Sequence, residues 1–162
     1  MIILRRLSKE KYHQVNPLWH IYRKIKFIKV LKQTLIIEIA RFIPSMKLKN
    51  KIYKKLLKMD VGNHTSFAYK VLPDLFYPEY ISVGKNTVIG YNTTILTHEI
   101  LVNEYRYGRV DIGSHTLIGA NVTILPGVKI GHNVMIKAGT IVSKDVPNDT
   151  IAFGNPMQIH NK

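Results

Sequence analysis

Residues 112–147 read IGSHTLIGANVTILPGVKIGHNVMIKAGTIVSKDVP, and an aliphatic side chain opens every sixth position: Ile112, Ile118, Ile124, Ile130, Ile136 and Val142. The same step runs upstream through Val83, Ile89 and Ile95. Gly follows the aliphatic anchor at residues 84, 90, 113, 119 and 131. Three places after the anchor stand Asn86, Asn92, His98, His115, Asn121, Gly127, Asn133, Gly139 and Asp145, the residue types that most readily take positive φ. The next position is Thr or Val in eight of the nine units, Glu99 being the exception. A β-branched strand and a sharp corner every six residues build a coil whose turns stack at interstrand spacing. Three units per turn place Ile112 over Ile130, Ile118 over Ile136 and Ile124 over Val142, which predicts a mainly β fold: a parallel β-helix of triangular section. Val61, Gly62, Asn63 and Thr65 fit one further unit, whereas residues 67–80, with Pro73 and Pro78, fit poorly and read as a distorted first turn.

Outward from the repeat the chain changes character. The 162 residues carry 24 Lys and Arg against 10 Asp and Glu, a net charge of +14. Residues 1–59 hold sixteen of those basic side chains against Glu10 and Glu38, so residues 60–162 are neutral overall. This first third reads as a basic amphipathic helical segment. Ile21, Ile25, Ile28, Leu31, Leu35, Ile39 and Phe42 fall on one stripe, Pro44 stops the helix, and Leu48, Ile52, Leu56 and Met59 form the face of a second. Neither run is long and apolar enough to span a bilayer. No leader is expected at residues 1–7, so the chain is expected in the cytoplasm. Two readings stay open for the basic helices: packing on the open end of the coil or on neighbouring protomers, and peripheral docking on an anionic membrane at its inner face. No nucleic-acid motif accompanies the charge. With no cysteine, disulfide scaffolds, thiolate metal sites and thiol nucleophiles are excluded.

The register of "IGANVTILPGVKIG" and "AGTIVSKDVP" resembles the hexapeptide-repeat acyltransferases, and within them the galactoside, maltose and xenobiotic O-acetyltransferase branch, over about residues 61–157. The resemblance implies a left-handed coil over residues 60–157, a C-terminal tail at 158–162, and transfer of an acetyl group from acetyl-CoA to a hydroxyl of a saccharide-type acceptor. It implies acetyl-CoA as co-substrate, no permanently bound cofactor, no metal, and a homotrimer.

After Ile95 the register resumes only at Ile112, so a loop over residues 98–109 leaves the coil. Loops on rigid scaffolds concentrate chemistry. On the residues alone, His98 fits either a positive-φ corner, as His115 does, or a proton-transfer group. The resemblance implies the second, because the family's catalytic base stands where the long loop leaves the coil. Glu99 or Glu104 would orient the imidazole, and Tyr105, Arg106 and Tyr107 would meet the acceptor. For CoA, the resemblance implies Gly119, Ala120, Lys137 and Ala138 along the pantetheine arm and Ser143 and Lys144 near the nucleotide. Met157 and Gln158 depart from the basic residues usual after "GNP", and Leu117 from a common Trp. Two other readings of the coil are a noncatalytic scaffold and a γ-carbonic-anhydrase-like metal hydratase, although His64, His98, His115 and His132 lack that enzyme's paired spacing.

Overall fold

The computed structural model describes residues 5–162, so the first four residues of the basic segment and of the expected leaderless start lie outside the described residues. The coil forms with the expected register: Ile112 pairs with Ile130, Ile118 with Ile136 and Ile124 with Val142, all parallel. Across the interruption the stacks continue, with Val83 on Ile112, Ile89 on Ile118 and Ile95 on Ile124. Three parallel sheets result. The first contains Asp60–Val61, Ile81–Val83, Val110–Ile112 and Lys129–Ile130; the third contains Leu72–Pro73, Thr94–Ile95, Thr123–Ile124 and Ile141–Val142. The second runs from Ser66–Phe67 to Thr150–Phe153, where Gln158–Asn161, expected as a tail, turns back antiparallel to close the edge. Inside lie the aliphatic anchors, nearly all fully buried. Each such side chain stabilises the fold by roughly 1.5–3 kcal/mol relative to exposure.

The polar half of the repeat is equally determined. Thr87, Thr93 and Thr116 are buried, and their hydroxyls donate to the carbonyls of Gly113, Gly119 and Gly131 in the next turn at 2.8, 2.8 and 3.0 Å. Positive φ occurs at seven of the nine expected corners. The exceptions are His98, which lies in a strand, and Asp145, whose carboxylate accepts the Lys129 amide at 2.7 Å.

The N-terminal segment departs from expectation. It contains α1 (Ile21–Lys24), α2 (Phe27–Ala40) and α3 (Met46–Leu56), but also a strand, Ser8–Lys11. The single helix expected from Ile21 is broken at Ile25, whose backbone is extended. Ser45 caps α3 by accepting the Leu48 amide. Only some of the predicted stripe is buried. Ile21 and Ile25 are buried, but the face of α2 that meets the core is Val30, Gln33, Ile37 and Ala40, while Ile28, Leu31, Leu35, Ile39 and Phe42 face outward. The cause lies in composition: α2 is apolar on both sides, so a stripe does not tell which side is inside. On α3 the core positions are Lys49 and Tyr53, with Leu48 and Leu56 exposed. Lys49 is completely buried because the first turn of the coil has no turn below it; its Nζ donates to the free carbonyls of Phe67 and Ala68 at 3.0 and 3.1 Å. Burial lowers the Lys49 pKa.

Candidate functional site

Two excursions leave the coil, one turn apart. The first covers residues 74–80, after the strand Leu72–Pro73, and ends in a 3₁₀ turn at Pro78–Tyr80. The second, expected as a loop over 98–109, is a β-hairpin of His98–Ile100 and Glu104–Tyr107, and Ser8–Lys11 adds a third antiparallel strand to it. The strand's approach is tight. Arg6 donates its amide to the Gly127 carbonyl at 3.1 Å, and a side chain on Gly127, at φ +77, would stand 2.7 Å from the Arg6 carbonyl.

Since Leu72–Pro73 pairs with Thr94–Ile95, the residues that follow each strand meet at one corner. There Asp74, fully buried, receives the Nδ1–H of His98 at 2.7 Å. The same oxygen accepts the amides of Thr97 at 2.7 Å and His98 at 3.2 Å, and the other oxygen those of Phe76 at 2.7 Å and Tyr77 at 2.9 Å. Burial pushes the Asp74 carboxyl upward, but the His98 bond, the imidazole charge and the backbone amides outweigh it and hold the group below its ordinary value. An ionised Asp74 fixes the His98 tautomer with the proton on Nδ1. Phe76 stacks on the ring at 4.3 Å, with Tyr105 beyond at 6.3 Å. Among the described residues no hydrogen bond engages Nε2. His98 and Asp74 open on a cavity of about 250 Å³ whose other lining residues are Thr34, Ile37 and Glu38 of α2 with the apolar Leu72, Pro73, Leu75 and Leu96.

Glu99 and Glu104, expected to orient His98, are engaged elsewhere. Glu99 takes a bidentate pair from Arg5 at 2.8 and 3.0 Å and a bond from Arg106 at 3.1 Å; Glu104 takes the other Arg106 nitrogen at 2.6 Å. They lie on the opposite side of the hairpin strands, as alternate residues must. Burial raises the Glu99 pKa, but Arg5 and Arg106 bring it below the ordinary range; for Glu104 the Arg106 bond does the same. The orienting residue is therefore Asp74, which the sequence reading missed because it falls in the stretch that breaks the repeat.

The expected acceptor residues separate. Arg106 belongs to that ion network. Tyr105 is fully buried, and burial raises its pKa, the neighbouring Tyr77 adding to the rise. Tyr107 is half-buried, 5.7 Å from Tyr77 and 6.4 Å from Tyr80, ring to ring. The residues expected for CoA divide over two corners. Gly119 packs on Ala138 so closely that a Cβ would meet the Ala138 nitrogen at 2.5 Å, Ala120 accepts the Gly139 amide at 2.9 Å, and Lys137 lies over Phe153. Ser143 and Lys144, both exposed, follow Val142 in the column of Ile95 and Ile124; they sit on the His98 corner, two turns along. Two of the other histidines serve the coil: His115 bonds Asn86 at 3.0 Å and His132 accepts the Ser114 amide at 2.9 Å.

The family described as bacterial transferase hexapeptide (six repeats) matches residues 109–144. SAR0816 of Staphylococcus aureus (strain MRSA252) is 60% identical over 156 residues, 96% of this chain and 97% of its own. YvoF of Bacillus subtilis (strain 168) is 52% identical over 156 residues, 96% of this chain and 91% of its own. Both carry acetyltransferase in their names. Among solved structures, the hexapeptide-repeat acetyltransferase VCA0836 of Vibrio cholerae, complexed with acetyl coenzyme A, superposes with TM-score 0.69 at 20% identity over 82% of this chain and 85% of that one. A galactoside acetyltransferase in complex with coenzyme A gives 0.62 at 23%, over 83% and 80%. The chain belongs to the hexapeptide-repeat acetyltransferases, enzymes of the left-handed β-helix.

Proposed function

We propose that the protein transfers an acetyl group from acetyl-CoA to a hydroxyl of a saccharide-type acceptor, with His98 as general base. The observation that carries this reading is the buried Asp74 at 2.7 Å from His98 Nδ1, which leaves the lone pair of Nε2 available beside a cavity. Neutral His98 takes the acceptor's proton through Nε2 as the hydroxyl oxygen attacks the thioester carbonyl. The carbon–sulfur bond then breaks, and the imidazolium returns the proton to the departing thiolate. Asp74 stabilises the transient imidazolium, and Phe76 and Tyr105 hold the ring plane. Gly119, Ala120, Lys137 and Ala138 would hold the pantetheine arm, with Ser143 and Lys144 nearer the nucleotide.

The reading includes a homotrimer, and the division of these residues over two corners supports an assembly in which copies share a site. Within one coil the Gly119–Ala138 corner stands a full face away from His98, roughly 15–20 Å for a six-residue unit. An adjacent copy can bring its Gly119–Ala138 corner to the His98 of its neighbour. The test is a screen of hydroxyl acceptors with acetyl-CoA turnover, run on the protein and on His98→Ala. Turnover is expected to fall by about 10²-fold or more in the variant. Undiminished turnover removes His98 from the mechanism, and no change of Tm with acetyl-CoA or CoA argues against acyl transfer altogether.

A further inference from the structure

Among the described residues the outer face of α2 has no counterpart in the fold. Ile28, Leu31, Leu35 and Ile39 lie at three- and four-residue steps opposite the buried Val30, Ile37 and Ala40 and are 42–67% exposed; Phe42, just past the helix and 46% exposed, rests edge-on against Tyr69 of the coil at 5.5 Å. A helix apolar on both sides buries both. In the segment that leads into α2, Trp19 is 78% exposed and Tyr22, edge-on to the Phe27 ring at 5.3 Å, is 56% exposed, the two aromatic types that settle at lipid headgroups. Lys26 and Lys32, both exposed, flank the stripe, and α3 presents Lys47, Lys51, Lys54 and Lys55 to solvent.

We infer that α2 and the Trp19–Tyr22 end form a docking face for an anionic lipid bilayer. Charge decides the occupant. The segment that carries the face holds the whole net charge of the chain, +14, so joining it to the same face of a second copy would bring two strongly positive surfaces together. An anionic bilayer takes the apolar stripe and the lysine rim at once. The geometry fits a helix lying in the interface: fourteen residues reach only about 21 Å, and no described helix is long and apolar enough to cross a membrane. The reverse of α2 supplies Thr34 and Ile37 to the cavity shared with His98. On the reading of His98 as base, and only on it, docking places the reacting hydroxyl about one helix diameter, roughly 10 Å, from the headgroups, within reach of an acceptor borne on the membrane.

Trp19 is the sole tryptophan of the chain and reports docking directly. The full-length protein is titrated with phosphatidylglycerol vesicles and with phosphatidylcholine vesicles, following Trp19 emission and co-sedimentation, at low and high salt. Binding to the anionic vesicles alone is expected, with a blue shift and with loss at high salt. Ile28→Ser/Leu35→Ser/Ile39→Ser should bind at least about tenfold more weakly, and so should the charge reversal Lys26→Glu/Lys32→Glu, which leaves the apolar stripe intact. His98→Ala should bind as the parent does, so a failed catalytic reading leaves this result untouched. No binding to either vesicle, equal binding to both, or a stripe variant that loses oligomer mass in analytical ultracentrifugation while the parent ignores vesicles would each overturn the inference; the last would assign the stripe to contact between copies.

Discussion

The coil and α2 are both built on aliphatic side chains and distribute them in opposite ways. In the coil each anchor away from the ends has an equivalent position directly above and below it: Ile118 lies between Ile89 and Ile136, and its strand neighbour Leu117 points out, 40% exposed. Inside and outside are separated residue by residue and checked again one turn later. In α2 the inner Ile37 is 1% exposed and the outer Ile39 65%, yet nothing in their chemistry distinguishes them. Periodicity locates a core when the other face is polar or when the pattern repeats. A single helix with two apolar faces satisfies neither condition.

The largest effect is expected where the repeat leaves no room. A Cβ on Gly90 would lie 2.5 Å from the Gly119 carbonyl carbon and 2.7 Å from the Ala120 nitrogen, both backbone. Gly90→Ala must therefore force adjacent turns of the coil apart, at a cost of about 4 kcal/mol or more in urea unfolding. A cost below about 1 kcal/mol would show the coil to be as forgiving as the helices. Next comes the corner where the two excursions meet. Asp74→Asn should lower kcat by about 10²-fold or more through loss of the fixed tautomer, with the KM for acetyl-CoA little changed and the pH–rate profile altered. An unaltered profile would reduce Asp74 to a packing role. Stability carries a sign as well. The folded pKa of Asp74 lies below its ordinary 3.8, so its ionised form stabilises the fold fully above that value, and the contribution is lost as pH falls through the lower folded value. The Tm gap between the parent and Asp74→Asn should close on acidification.

Lys49 marks the boundary between what was legible and what was not. The nine-unit register, the stacks and seven corners follow from side-chain type, because each unit repeats its neighbour's problem and solution. His98 was legible as the residue at the break. Asp74 was not, since residues 74–80 obey no period and only the pairing of Leu72–Pro73 with Thr94–Ile95 brings the carboxylate to the imidazole. Glu99 and Glu104 fall elsewhere for a related reason: sequence proximity suggests His98, while strand alternation turns both away, Arg5 engages Glu99 and Arg106 engages both. A buried lysine on a basic helix looks the same in sequence as its solvated neighbours, and only the unpaired carbonyls at the coil's open end distinguish it. Lys49→Met keeps the unbranched stem as far as Cε and removes both donated bonds. It should cost about 1–3 kcal/mol, whereas Lys51→Met, on the exposed side of α3, should stay within about 0.5 kcal/mol.

The smallest effect is the sharpest test of the two-faced helix. Leu35→Ser replaces an exposed leucine, and unfolding of the dilute protein should shift by no more than about 0.5 kcal/mol. Ile37→Ser, two residues on, removes a side chain that is 1% exposed and packed into the coil's end; the lost burial and the stranded hydroxyl should cost about 3 kcal/mol or more. If the two substitutions cost the same in dilute solution, the outer stripe is already covered by protein, and the contrast between helix and coil reduces to a contrast between one chain and its assembly. If they differ as expected, the leucine, isoleucine and phenylalanine of the outer stripe are not retained for folding, and their place on a helix rimmed by lysine has to be explained by what the folded protein touches.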